Sequence, residues 1–325
     1  MEDACRRAGV GRRTGGTGTG ISGGYRRVTV VCQAHGVSDF DQIPGVSIGI
    51  HQGLEAIIVE TPQARAAVSL FGGHVLSFVP TGAVDVFWVS PLVKAPPTPI
   101  RGGTPVCWPY FGKEGQTGDV PSHGYARTAR WTVTGGGVLD GGDVEVHLAP
   151  VGLGHLDLRL RMTLRIGASL EQTLSTTNPG TRPVRLTEAL HNYFRVSDAT
   201  AVHVDGLAGL TYLDKFDDMA AHEQDCDWRL PADPARSDRI YPGAGGRYLL
   251  VDPGLGRRIE IVTQGARSAV VWNPGEAVAS GMADVGLHWR GFVCVEAANA
   301  GPDVVEVPGQ TTHSMSQTIT VSSLD

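Results

Sequence analysis

Three features of the chain predict an all-β protein built as a large antiparallel β-sandwich. No window holds a sustained helical period, while many short stretches alternate apolar and polar residues. Glycine and proline, 44 and 20 of the 325 residues, punctuate those stretches as tight turns would. Hydrophobic residues at 41% and charged residues at 18% supply a sizeable core without the charge density of a disordered chain.

In chain order, residues 1–40 stand apart. Arg6, Arg7, Arg12, Arg13, Arg26 and Arg27 outweigh Glu2 and Asp3, and TGGTGTGISGG cannot bury a core. The expectation is a disordered N-terminal extension or an over-long gene start, with an organelle transit peptide as the alternative. The predicted sandwich domain covers 41–325. Its strands begin with VSIGIH, AIIVE, AAVSL, HVLSFV and VDVFWV, all between Val46 and Val89. A Pro- and Gly-rich loop spans 90–129, followed by RWTVT and VEVHL. The clearest alternation runs over 156–166: Leu156, Leu158, Leu160, Met162, Leu164 and Ile166 share one face, while Asp157, Arg159, Arg161, Thr163 and Arg165 share the other. The stretch 168–176 continues it. Later strands are AVHVD, RYLLV, RRIEIVT, SAVVW, GFVCVEAA, DVVEV and THSMSQTITVS.

Residues 184–196, VRLTEALHNYFRV, read as one uninterrupted strand with an unusual face: Arg185, Thr187, Ala189, His191, Tyr193 and Arg195. Such a face is either wet or lines a polar cavity, where an imidazole on a stiff strand is well placed to transfer protons. A lone His is ordinarily just a satisfied or surface side chain. In GFVCVEAAN, Glu296 shares a face with Phe292 and Cys294, and a carboxylate ending so apolar a strand has its pKa raised toward neutrality, as a general base requires. A salt-bridged strand end fits that segment equally well. A loop as long as 90–129 is usually functional. It holds Arg101 beside Gly102 and Gly103, a guanidinium next to unhindered backbone N–H groups suited to an oxyanion, or simply a turn with a solvated Arg. His123 and Arg127 follow in SHGYAR.

GGHVLSF, WVSPL, IRGGTPVCWPYFG, HGYARTARW, TEALHNYFRV, TYLDK, VVWNPG, MAD, VCVEAANA and VPGQTTHSMSQTI occur in that order. Together they resemble the D-hexose-6-phosphate mutarotases, the glucose-6-phosphate 1-epimerases of the aldose 1-epimerase group. The resemblance spans nearly all of 41–325, departing at Asn192, where the family usually has Thr. It implies a galactose mutarotase-like supersandwich and anomer interconversion of hexose 6-phosphates without a cofactor. It also implies His191 as catalytic acid, Glu296 as catalytic base, and Arg101, Arg127, Asp238, His123 and Ser122 as substrate-binding residues. Trp108 and Trp272 could pack on a sugar face, although core packing suits either. Two rivals are a mutarotase for unphosphorylated aldoses and a non-catalytic sugar-binding module.

The remaining expectations are exclusions. A net charge of -6 argues against broad nucleic-acid binding. No apolar run reaches membrane-spanning length. The eleven His show neither HxH nor HExxH spacing, so no metal site is expected. Cys5, Cys32, Cys107, Cys226 and Cys294 form no CxxC, consistent with a reducing, cytoplasmic setting, or a plastid if the extension is a transit peptide. The partner expected is a small hexose 6-phosphate, acted on by a monomer.

Overall fold

Alternation in the sequence becomes alternation of burial wherever a strand has one wet face. In the strand Arg159–Ile166, Leu160, Met162, Leu164 and Ile166 are buried while Arg159, Arg161 and Arg165 are exposed. The structure, a computed structural model, describes residues 43–324; the reading of 1–40 lies outside them.

The chain opens with a four-stranded meander, Val46–His51, Leu54–Glu60, Ala64–Ser69 and His74–Pro80. An eight-stranded sheet then runs, in spatial order, His203–Asp205, Arg247–Asp252, Arg257–Gln264, Thr311–Ser323, Leu170–Asn178, Arg159–Ile166, Val144–Pro150 and Trp131–Val138. A second sheet of eight has Ala220–Glu223 at one edge, then Thr211–Asp214, Ser237–Pro242, Ser268–Asn273, Phe292–Asn299, Glu188–Leu190 and Val106–Cys107. Tyr193–Arg195 also pairs with Phe292–Asn299. Every ladder between these strands is antiparallel. One core joins the sheets, with Leu164, Leu174, Ile261 and Ile319 from the first and Val271, Val293, Val295 and Tyr241 from the second. Among the described residues no helix is long and apolar enough to cross a membrane.

The stretch 184–196 is not one strand. It divides into Val184–Leu186, Glu188–Leu190 and Tyr193–Arg195, and the first of these pairs with Val305–Val307 outside the large sheets. The ladder lapses at His191 and Asn192 because the Asn192 N–H turns back to the Leu190 carbonyl, 3.1 Å away, and the His191 N–H goes to Pro105 O at 3.0 Å. VDVFWV forms only isolated bridges, Phe87 with Phe194 and Val89 with Gly102. There the Asp85 carboxylate accepts the amide hydrogens of Phe78 and Phe87, taking groups a ladder would need. The regular strand of 156–166 starts only at Arg159, and the hairpin Thr211–Asp214 with Ala220–Glu223 and the strand Ser237–Pro242 were not anticipated.

Candidate active site

The second large sheet presents a row of directly opposed residues on one face: Tyr193, Cys294, Trp272 and Asp238, in that order across three registers. Glu296, two residues beyond Cys294, shares that face because strand side chains alternate. Its carboxylate is buried, and Oε1 lies 3.3 Å from Nδ1 of His191. The two atoms are close but misaligned for a hydrogen bond, so His191 Nδ1 and both Glu296 carboxylate oxygens are buried polar atoms with no hydrogen-bond partner. Burial raises the Glu296 carboxyl well above its ordinary range, helped by Asp238 and opposed by Lys215. Burial also depresses the His191 imidazole, followed by the influence of His123, Arg101 and Arg127. Both shifts favour the uncharged forms, a protonated carboxyl beside a neutral imidazole.

The loop after Ile100 places the cations. Gly102 (φ +107°) and Gly103 (φ +60°) pass so close to the stretch 88–90 and to the meander that a β-carbon on Gly102 would sit 2.4 Å from Trp88 O and one on Gly103 2.3 Å from Val75 O. The Gly103 N–H donates to Trp88 O at 2.7 Å, so this glycine pair secures close packing rather than offering that N–H to an anion. Nε2 of buried His74 lies 2.5 Å from Gly102 O. Burial lowers this imidazole to about 4, so it is neutral and donates that hydrogen bond. Gly103 O and Pro105 O in turn accept the N–H groups of Tyr193 and His191, which ties the loop to the segment that carries His191.

Held this way, Arg101 donates from Nε to Asp284 at 2.9 Å and from one terminal nitrogen to the Tyr193 hydroxyl at 2.8 Å. Tyr193 stacks flat on His191, with ring centroids 4.8 Å apart and planes 6° apart. Arg127 donates to the carbonyl of Ser122 at 2.6 Å, which is the contact the structure gives Ser122, and its Nε is buried without a partner. Arg101, Arg127, His191, Tyr193 and Asp284 line one cavity of about 110 Å³, walled by 98–100. His123, in a left-handed conformation (φ +63°), accepts from the Gly112 N–H through Nδ1 and meets His191 edge to face at 5.8 Å. Burial, then Arg127, Lys215 and Arg101, brings it down to about 3, so it too is neutral.

Of the residues singled out in the sequence, His191, Glu296, Arg101, Arg127 and His123 converge. Asp238 lies further along the row, beyond Trp272, with burial pushing its carboxyl up to about 6 and Lys215 Nζ 3.8 Å away. Trp272 borders both His191 and Tyr193, whereas Trp108 is a core residue donating to Thr176. Three contributors had been given no role: Tyr193, although it shares the polar face of His191, and Asp284 and Lys215. The last two sit inside the blocks MAD and TYLDK, which drew attention as motifs without suggesting a role. A larger cavity of about 520 Å³ lies on the Val89–Pro91 side of Trp88, among Gln52, Arg195 and His288, with no carboxylate in its lining. His203, Asp205 and Asp227 bring ligand-type atoms within 4.8 Å of one another at an edge of the other sheet. There His203 Nε2 already faces Asp205 at 3.2 Å.

The profile of the family described as aldose 1-epimerase matches residues 55–318. A protein of Salmonella typhimurium provisionally named a glucose-6-phosphate 1-epimerase is 33% identical over 282 residues, covering 83% of this chain and 91% of its own length. One from Cenchrus ciliaris bearing the same provisional name is 28% identical over 278 residues, with coverage of 79% and 82%. A crystal structure of a Salmonella typhimurium protein, provisionally described as a mutarotase, superposes with a TM-score of 0.78 at 30% identity, covering 87% of this chain and 95% of that one.

Proposed function

The chain belongs to the aldose 1-epimerase family, and on that premise we propose that it interconverts the α and β anomers of hexose 6-phosphates, chiefly D-glucose 6-phosphate. The observation that carries this reading is the buried His191–Glu296 pair standing beside two arginines in one site. Anomerisation needs a base on the anomeric hydroxyl and an acid on the ring oxygen. Glu296 takes the hydroxyl proton as C1–O5 breaks, and His191 delivers a proton to O5, leaving an open-chain aldehyde. Rotation about C1–C2 exposes the other carbonyl face, and closure returns each proton to its source. The pair ends as it began, so no cofactor is consumed.

Arg101 and Arg127 hold the phosphate in this reading. Arg127 brings an unpaired buried donor to the cavity, and Asp284 and Tyr193 fix the Arg101 fork. Asp238, raised by burial and next to Lys215, and His123, with its Nε2–H free of Gly112, serve the sugar hydroxyls and the ring-oxygen side. The residues all come from one chain, so a monomer suffices, and a reducing cytoplasm suits its free cysteines Cys107, Cys226 and Cys294.

The test is the rate of anomerisation, followed by polarimetry, on glucose 6-phosphate and on glucose. His191→Ala and Glu296→Gln should each lower kcat by about a hundredfold or more while melting as the parent does. Arg101→Ala should lower kcat/KM for glucose 6-phosphate by roughly ten- to a hundredfold, the scale of a lost charge-assisted contact, with only partial rescue by Lys. Near-normal turnover in either acid–base variant would remove the assignment. An equal loss on glucose after Arg101→Ala would favour an enzyme for unphosphorylated aldoses.

A further inference from the structure

The cavity holding Arg101 and Arg127 is also a wall of His191. Tyr193 binds the two functions together, since its hydroxyl accepts from Arg101 at 2.8 Å while its ring covers the imidazole at 4.8 Å. The titratable and charged groups around His191 are Arg101 and Arg127 on the cavity side, His123 at its edge, Tyr193 on its face and Glu296 at 3.3 Å. Asp284 offsets part of the Arg101 charge, and Lys215 and Asp238 lie beyond Glu296. Burial most of all opposes the imidazolium that ring opening requires, and after His123 the two guanidiniums that face the imidazole add to it. Glu296 is not part of that cavity wall.

We propose that an oxyanion seated between Arg101 and Arg127 switches the acid–base pair on, so that the substrate's phosphate is an activator of His191 as well as a handle; this rests on the hexose 6-phosphate reading above. A dianion there cancels the two guanidinium charges where they bear on the imidazole. The pair then redistributes its one proton: the Glu296 carboxyl releases it, His191 accepts it, and no proton enters or leaves. The result is a carboxylate poised as base and an imidazolium poised as acid, formed only when a phosphorylated ligand has arrived. An unphosphorylated sugar meets the pair in its resting arrangement. Discrimination between the two substrates then resides in kcat and not in binding alone.

The experiment separates the phosphate from the sugar. D-xylose, an aldopyranose lacking C6, is used as substrate and inorganic phosphite as the detached anion, with the rate in phosphite without enzyme subtracted. Saturating phosphite should raise the enzyme-dependent kcat/KM for α-D-xylose by at least about tenfold, within the usual span of coupling between two sites. Arg101→Ala should abolish that gain. In parallel, the ¹⁵N resonances of His191 should move toward imidazolium when phosphite alone is added. If phosphite competes with glucose 6-phosphate yet leaves both the xylose rate and the His191 resonances unchanged, the arginines are a handle only and the proposal is overturned. If glucose 6-phosphate is turned over no faster than glucose and phosphite does not compete with it, the hexose 6-phosphate reading itself has failed.

Discussion

His191 and Asn192 are neighbours that face opposite ways. His191 lines the cavity, while the Asn192 side chain is fully buried and bridges the two sheets. It donates to Val295 O at 2.9 Å and to Gln317 at 2.7 Å, and accepts from Thr104 at 3.0 Å and from Gln317 at 2.9 Å. Val295 precedes Glu296, so one amide fixes the spacing of His191 and Glu296. Asn192→Ala should therefore cost about 2–3 kcal/mol in chemical denaturation, because it orphans several buried groups. It should also depress kcat more than KM. A kcat matching the parent's would show that the bridge is purely structural. The sequence exposed His191 and Glu296 through the company they keep, a polar face and an apolar strand. The role of Asn192 was illegible, because its partners lie 88 to 125 positions away along the chain.

Single strands were legible where one face is wet and one dry, as in Arg159–Ile166, and illegible where both faces are buried. Ala189 and Leu190 are both fully buried, and so nearly is the run 86–89, so period two carried no information about where ladders stop. The loop of Gly102 was legible as a special turn but not as packing, since the atoms it meets belong to the stretch 88–90 and, for Gly103, to His74 and Val75 of the meander. His74 clasps that loop, and its protonation would put a charge on a fully buried imidazole at Nδ1, which has no partner. With the folded value near 4, below the ordinary 6.5, the folded state binds fewer protons than the unfolded state between those values. The stabilisation is thus present above pH 6.5 and lost as pH falls toward 4, by roughly 3 kcal/mol. Urea titrations at pH 6.5 and 4.5 should show most of this fall in the parent and a flatter acid limb in His74→Asn. Identical limbs would remove His74 as the source. Glu296 acts in the opposite sense, since its raised value favours the folded state at low pH.

Across the whole molecule, Arg257 on the first large sheet reaches the carbonyls of Val84, Asp85 and Arg195, the last belonging to the second sheet. Its side chain is buried, so Arg257→Met leaves three acceptors short of a donor and should lower stability by about 3 kcal/mol, read as a shift in the urea midpoint at unchanged slope. An unchanged midpoint would show that the sheets hold together by apolar packing alone. The strand Phe292–Asn299 has a broader consequence. Val293, Val295 and Ala297 take one face and Phe292, Cys294 and Glu296 the other, the second facing Tyr193 and His191, and all six are buried. Selection on persistence and selection on chemistry therefore act on alternate letters of one word. Drift at the inward letters is limited by volume, whereas drift at the outward ones changes what the catalyst accepts. Because the outward letters are buried as well, a lineage gains new sugars at them only at some cost to the architecture.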